Sequence, residues 1–336
     1  MAMYINGAKK VNGIFANING ETKKIVSVWA NKDSVPTKVF SYGMKPRFVA
    51  VGASEKSYYS FDGNEWFEMS GLDYPGAGKK YWCVTYGNGR FVTIGYGKCY
   101  HSIDGKSWSL VSTIEALIDT VTHSIAYGDG RFVAVAGGGK SFYSFDGITW
   151  VEMTGLDSSY IGRGATYGNG RFVTVGVNGK AAYYSTDGET WSAMNGLTSS
   201  RYHWEVAYGN GRFVTVASDG KSYYSTDGVK WIEMSGGPGS SYSMTKVTYG
   251  NGIFIGGKGP CYYSNDGVKW IEMSGGPSIE YGCHGVSYGK DIFVMLDSTN
   301  YSYISTDGLN WTKSENKIDV NIEDICYSVD GGYGNK

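Results

Sequence analysis

Seven aspartates (Asp62, Asp104, Asp146, Asp187, Asp227, Asp266 and Asp307) each precede a glycine, follow a serine by two residues and precede a tryptophan by four. Carboxylates in such number could bind metal ions or act as general acids. A catalytic centre, however, needs one special place, and these residues are alike in every copy. The spacing favours a mechanical role instead. Glycine supplies positive φ without a Cβ clash, and aspartate and serine side chains cap backbone amides that a tight turn leaves unpaired. The tryptophan is then placed to cover those hydrogen bonds.

The aspartates lie 42, 42, 41, 40, 39 and 41 residues apart, a period that points to repeated supersecondary units. Period-2 patterning and turn residues divide each unit into four strands. Around Asp227 these are Val206–Tyr208, Arg212–Val216 after a Gly-Asn-Gly turn, Lys221–Ser225, and Trp231–Met234 after the Asp-Gly turn. A lone sheet of this kind exposes two apolar faces. Repetition around an axis buries both, so the expected fold is all-β, a seven-bladed β-propeller of four-stranded blades. Composition agrees, with 51 glycines, 6 prolines and 15% aromatic residues. Lys plus Arg (30) nearly balance Asp plus Glu (31) without like-charge runs, so no basic face is available for nucleic acid. No apolar run is long enough for a signal peptide or a membrane span, which predicts synthesis in the cytoplasm and no membrane insertion. Cys83, Cys99, Cys261, Cys283 and Cys326 are odd in number and lack Cys-x-x-Cys spacing, so they read as small buried residues rather than disulfides or zinc ligands.

The Ser-x-Asp-Gly-x-x-Trp turns resemble the Asp-box, the bacterial neuraminidase repeat of sialidases and many other propellers, in a variant one residue shorter than usual. The resemblance covers residues 39 to 327 and implies a structural marker. Residues 1–38 form a separate expectation, a small β attachment module preceding a propeller at 39–336. In it Tyr4 to Val11 is echoed by Asn17 to Ile25, each with an Asn-Gly hairpin signal. This arrangement resembles N-terminal modules of tail and baseplate proteins of phages, and phage-derived particles, of Gram-positive bacteria. It implies assembly into a virion or phage-tail-like particle. A short ribbon is marginal alone, so other particle proteins or self-association into a homo-oligomer would complete it. At the other end Ile325-Cys326-Tyr327 matches a first strand, as does Phe40-Ser41-Tyr42, and either could close the ring.

The turns of the repeat are nearly constant on one face of the ring, while the loops of the opposite face vary, which is where binding is expected. Four residues before each unit's tyrosine stand Trp82, His123, Arg163, Trp204, Thr245, His284 and Glu323, at equal radius around the channel mouth; Tyr81 and Tyr202 are adjacent. Aromatic and arginine-rich rims suit sugar rings or protein hot spots. The expected function is therefore a non-enzymatic particle protein whose propeller binds a bacterial surface glycan or protein, with no cofactor and no metal. The first alternative is a purely architectural virion subunit. The second is a sialidase-like glycoside hydrolase. Sialidase chemistry needs an arginine cluster, but Arg90, Arg131, Arg171 and Arg212 share one repeat position on the constant face. Only Arg163 and Arg201 lie in variable loops. Three histidines, His123, His203 and His284, fall on the variable face in separate blades. Among the acids there, which include Glu205 and Glu323, no pair announces itself.

Overall fold

The computed structural model describes residues 15–18, 21–24, 27–32, 35–41, 46–53, 56–73, 80–95, 97–111, 121–138, 140–177, 182–197, 202–234, 244–257, 260–274, 277, 283–319 and 321–328, the first four ranges as backbone only. From residue 46 onward the strands form seven four-stranded antiparallel sheets. These are blades 1 to 7 of a propeller. The innermost strands of blades 2 to 7 are Tyr81–Gly87, Thr122–Gly128, Ile161–Gly168, His203–Gly209, Lys246–Gly250 and Cys283–Gly289. Blade 1 takes its innermost strand, Ile322–Tyr327, from the far end of the chain, paired with Phe48–Gly52. Ser328 reinforces the join: Arg47 N donates to its Oγ at 2.9 Å, and its own amide donates to the Arg47 carbonyl at 2.9 Å. Phe40 lies instead in Val35–Ser41, which pairs with Ser27–Lys32, so the C-terminal strand closes the ring. Before it Phe15–Ile18 pairs with Glu21–Lys24, the two strands of one of the expected hairpins, whose Asn19-Gly20 lies outside the described residues. The other, at Asn6-Gly7, lies outside the described residues.

Each second strand is buried along nearly its whole length, as Arg212–Ala217 illustrates, because both its faces meet neighbouring blades. The outermost strands are two residues long in blades 1 to 6, shorter than the sequence pattern suggests. In blade 5 Trp231 precedes Ile232–Glu233 rather than lying within it, and its indole is buried at the blade boundary.

Every Ser-x-Asp-Gly turn has the same internal bonding. In blade 1 the Gly63 amide donates to Ser60 Oγ at 2.8 Å, Ser60 Oγ donates to Asp62 Oδ1, and the amides of Asn64 and Glu65 donate to the same oxygen at 2.9 and 3.0 Å. Burial presses these carboxyls toward protonation, but the amides outweigh it and hold Asp62, Asp104 and Asp146 below the usual range. At Asp307 the Asn310 amide is the largest influence, in the same direction. Turns between first and second strands lie on the same face: Asn88 Nδ2 donates to the Phe145 carbonyl and Asn251 Nδ2 to that of Thr306, each in the next blade's Ser-x-Asp-Gly turn.

Two further contacts join the blades. The tyrosine ring ending one innermost strand lies on a glycine of the blade before; a Cβ on Gly209 would occupy the Tyr249 ring. Each of these rings also tilts against the phenylalanine of its own second strand, with Tyr249 and Phe254 centroids 4.8 Å apart. Beyond the outer strands, Met-Ser-Gly, Met-Thr-Gly and Met-Asn-Gly segments make parallel bridges to the next blade, Ser70 with Ser107, Thr154 with Thr190 and Asn195 with Lys230. The Trp231 indole N–H points at Met194 Sδ, 3.0 Å away.

Candidate ligand-binding rim

The channel mouth is built by an irregularity that recurs in six blades. The ladder between first and second strands skips one residue between Tyr81 and Cys83, Thr122 and Ser124, Gly162 and Gly164, His203 and Glu205, Cys283 and Gly285, and Ile322 and Asp324. The skipped residues are Trp82, His123, Arg163, Trp204, His284 and Glu323. A β-bulge leaves its extra residue unpaired and re-aims the side chain. This explains why blade 5 begins its strand at His203, three residues before the Val206 start that alternation suggests. The bulges lie at the strand ends opposite the constant turns, and all six residues are partly exposed.

Five blades contribute to one continuous chain of contacts. Glu323 of blade 1 pairs with Lys80 of blade 2, whose ammonium stands 5.0 Å from the Trp82 ring centroid. Trp82 meets His123 of blade 3 edge-to-face at 5.6 Å. Arg163 Nη1 of blade 4 donates to His123 Nδ1 at 3.4 Å, and the guanidinium carbon stands 5.3 Å from the Trp204 ring of blade 5. Tyr202 stacks on Trp204 at 5.3 Å and 16° and remains 44% exposed. Burial first, and Arg163 second, push the His123 imidazole down to about 4, so it is neutral near pH 7. His284 occupies the corresponding bulge in blade 7.

Tyr81 does not belong to the rim. Strand alternation turns it inward, fully buried, with its hydroxyl donating to the Asp73 carbonyl at 2.6 Å. His203 is likewise buried, beside Tyr223. Among the described residues no three of His, Cys, Asp and Glu gather as metal ligands could. Burial pushes all five thiols up, away from the reactive thiolate form.

Beneath the rim lies a charged layer that repeat-by-repeat reading misses. Three residues before each tyrosine stand Cys83, Ser124, Gly164, Glu205, Lys246, Gly285 and Asp324. Lys246 Nζ is 3.5 Å from Glu205 Oε2 and 3.6 Å from Asp324 Oδ1. It reaches blade 1 from blade 6 past blade 7, where the same position is Gly285. Asp324 Oδ2 also accepts from the Val84 amide of blade 2 at 2.9 Å. Burial pushes the Glu205 carboxyl up to about 7 against the pull of Lys246, and burial likewise raises Asp324. The signal was available in one column of the repeat, where three blades carry charge and four carry small residues. The innermost strands line an open cavity of about 290 Å³, with residues including Thr85, Thr166, Thr248 and Ser287 and the rings of Tyr127 and Tyr167.

Fold and rim together define a seven-bladed β-propeller with a bulge-built mouth. Among solved structures the chain is similar to a streptogramin B lyase, with 11% identity and a TM-score of 0.63 over 81% of this chain and 89% of that one. It is similar also to virginiamycin B lyase from Staphylococcus aureus, with 13% identity and a TM-score of 0.60 over 72% and 85% of the two chains. A third similar structure is YCF48 bound to a D1 peptide, with 16% identity and a TM-score of 0.55 over 70% and 82%. At these identities the likeness is one of fold alone. The sequence matches no protein-family model and no curated protein.

Proposed function

We propose that this protein is a non-enzymatic binding propeller of a phage-tail or baseplate-type particle, whose rim engages a glycan on a bacterial surface. The observation that carries the binding half is the unbroken aromatic and cationic chain from Lys80 through Trp82, His123 and Arg163 to Trp204 and Tyr202. Sugar rings present apolar C–H faces and hydroxyl edges, so flat rings with neighbouring donors are suitable partners. Glu205 and Asp324 are both engaged with Lys246, which supports binding over glycoside hydrolysis. The particle half rests on the resemblance of residues 1–38 to tail and baseplate modules, and that module would provide the anchor.

An array of bacterial wall glycans probed with the wild type, Trp82→Ala and Tyr202→Ala tests the reading. Each variant is expected to lose roughly tenfold in affinity, about 1.4 kcal/mol. Unchanged binding in both would remove the rim assignment. A wild type that binds no glycan but is buried among particle subunits would favour the architectural alternative.

A further inference from the structure

Cations at the mouth fall into two groups. Lys80 is paired with Glu323, and Lys246 with Glu205 and Asp324. Arg163 has no carboxylate partner among the described residues. Its one hydrogen bond there goes to His123. Because a guanidinium only donates, His123 Nδ1 must accept, which places the neutral ring's proton on Nε2. The guanidinium is wedged between that ring and the Trp204 and Tyr202 rings, 5.3 and 5.9 Å from their centroids. Burial depresses its pKa, the direction expected of a cation whose lost hydration no anion replaces.

The repeat's other arginines stand near acids. Arg90 donates to His101 Nδ1 at 2.7 Å, as Arg163 does to His123, but Asp146 acts on it as a counter-charge. Arg131 pairs with Asp129 and Glu189, and Arg171 and Arg212, which lie over the tyrosines of their own third strands, interact with Asp227 and Asp266. Those are packing residues on the constant face. Arg163 is held by a bulge at the channel mouth, partly exposed, where an incoming anion can reach a cation that no described carboxylate compensates.

We propose that Arg163 is the docking point for an oxyanion of the glycan, a carboxylate or a phosphodiester, with the adjoining sugar ring lying on Tyr202. The guanidinium fork matches either group, and aromatic contact on its face fixes its plane beforehand. This inference rests on the reading of the rim as a glycan site and adds the charge of the ligand to it.

Calorimetric titration of the full chain with three probes tests it: an oligogalacturonate, an oligo(glycerol phosphate) and a neutral N-acetylglucosamine oligomer of similar length. One anionic probe is expected to bind at least tenfold more tightly than the neutral one, and to weaken as salt rises. Which of the two does so identifies the source of the oxyanion. Arg163→Gln is expected to abolish the preference, so that the anionic probes bind no more tightly than the neutral one, and Arg163→Lys to retain part of it. A neutral probe that binds as well as both anions overturns the inference and leaves the glycan reading intact. Absence of binding to all three overturns both. A folded Arg163→Gln that keeps the preference also overturns the inference. Should that variant fail to fold, the wild-type ranking and its salt dependence decide.

Discussion

Glu205 and Asp324 meet on one half-buried ammonium in the channel, and the pKa of Glu205 reports the cost. Held up to about 7 from an ordinary 4.5, the Glu205 carboxyl binds its proton more tightly in the native state than in the unfolded chain. Stability from this group is therefore present at low pH and is lost as pH rises from 4.5 to 7. Asp324 acts in the same direction. Urea midpoints measured at pH 5 and pH 8 should show Glu205→Gln with a flatter profile than the wild type, by on the order of 1–3 kcal/mol. Parallel profiles would contradict the assignment. The six bulged positions were legible in sequence because they share one repeat position, although Thr245 shares it too and the ladder of its blade has no bulge. The Lys246 cluster left only charge in three blades of one repeat column, and the pairing of its members across blades 5, 6 and 1 shows only when the ring is closed. Tyr81 failed for a local reason: adjacency to Trp82 put it on the opposite side of its strand.

The blade itself was legible because turn chemistry and alternation coincide in every copy, from Asn88-Gly89 to Asp307-Gly308. The joints between blades were less so. Thr154 bridges to Thr190 only because Gly155, at φ +90°, lets the backbone pass the Trp191 carbonyl, which a Cβ would strike. Gly170 has a similar φ of +72° but open space where a Cβ would stand. The two glycines thus separate conformational strain from lost docking. Gly170→Ala should cost about 1 kcal/mol from the left-handed backbone alone, and Gly155→Ala at least 2 kcal/mol more, both read from chemical denaturation. Equal costs would mean that the bridge contributes nothing. Bulges are the other element that alternation hides, because an extra residue shifts the pattern while leaving composition unchanged.

For the molecule as a whole, one strand converts an arc of blades into a ring. Ile322–Tyr327 supplies the inner edge of blade 1, and Asp324 on that strand touches both flanks, the Val84 amide of blade 2 and Lys246 of blade 6. Ending the chain at residue 320 should expose the Phe48–Gly52 edge and yield self-associated or poorly soluble protein by size-exclusion chromatography with light scattering. A peptide spanning residues 321–328 should restore in part the elution of the untruncated chain; truncated protein that elutes as the untruncated chain does without it would show the closure to be dispensable. The location of that strand also sets a schedule. Synthesis on the ribosome proceeds from the N-terminus, so blades 2 to 7 can assemble while blade 1 still lacks its innermost strand. Circular closure must wait until residues 321–328 have left the exit tunnel, and until then the nascent chain carries the unpaired Phe48–Gly52 edge of blade 1.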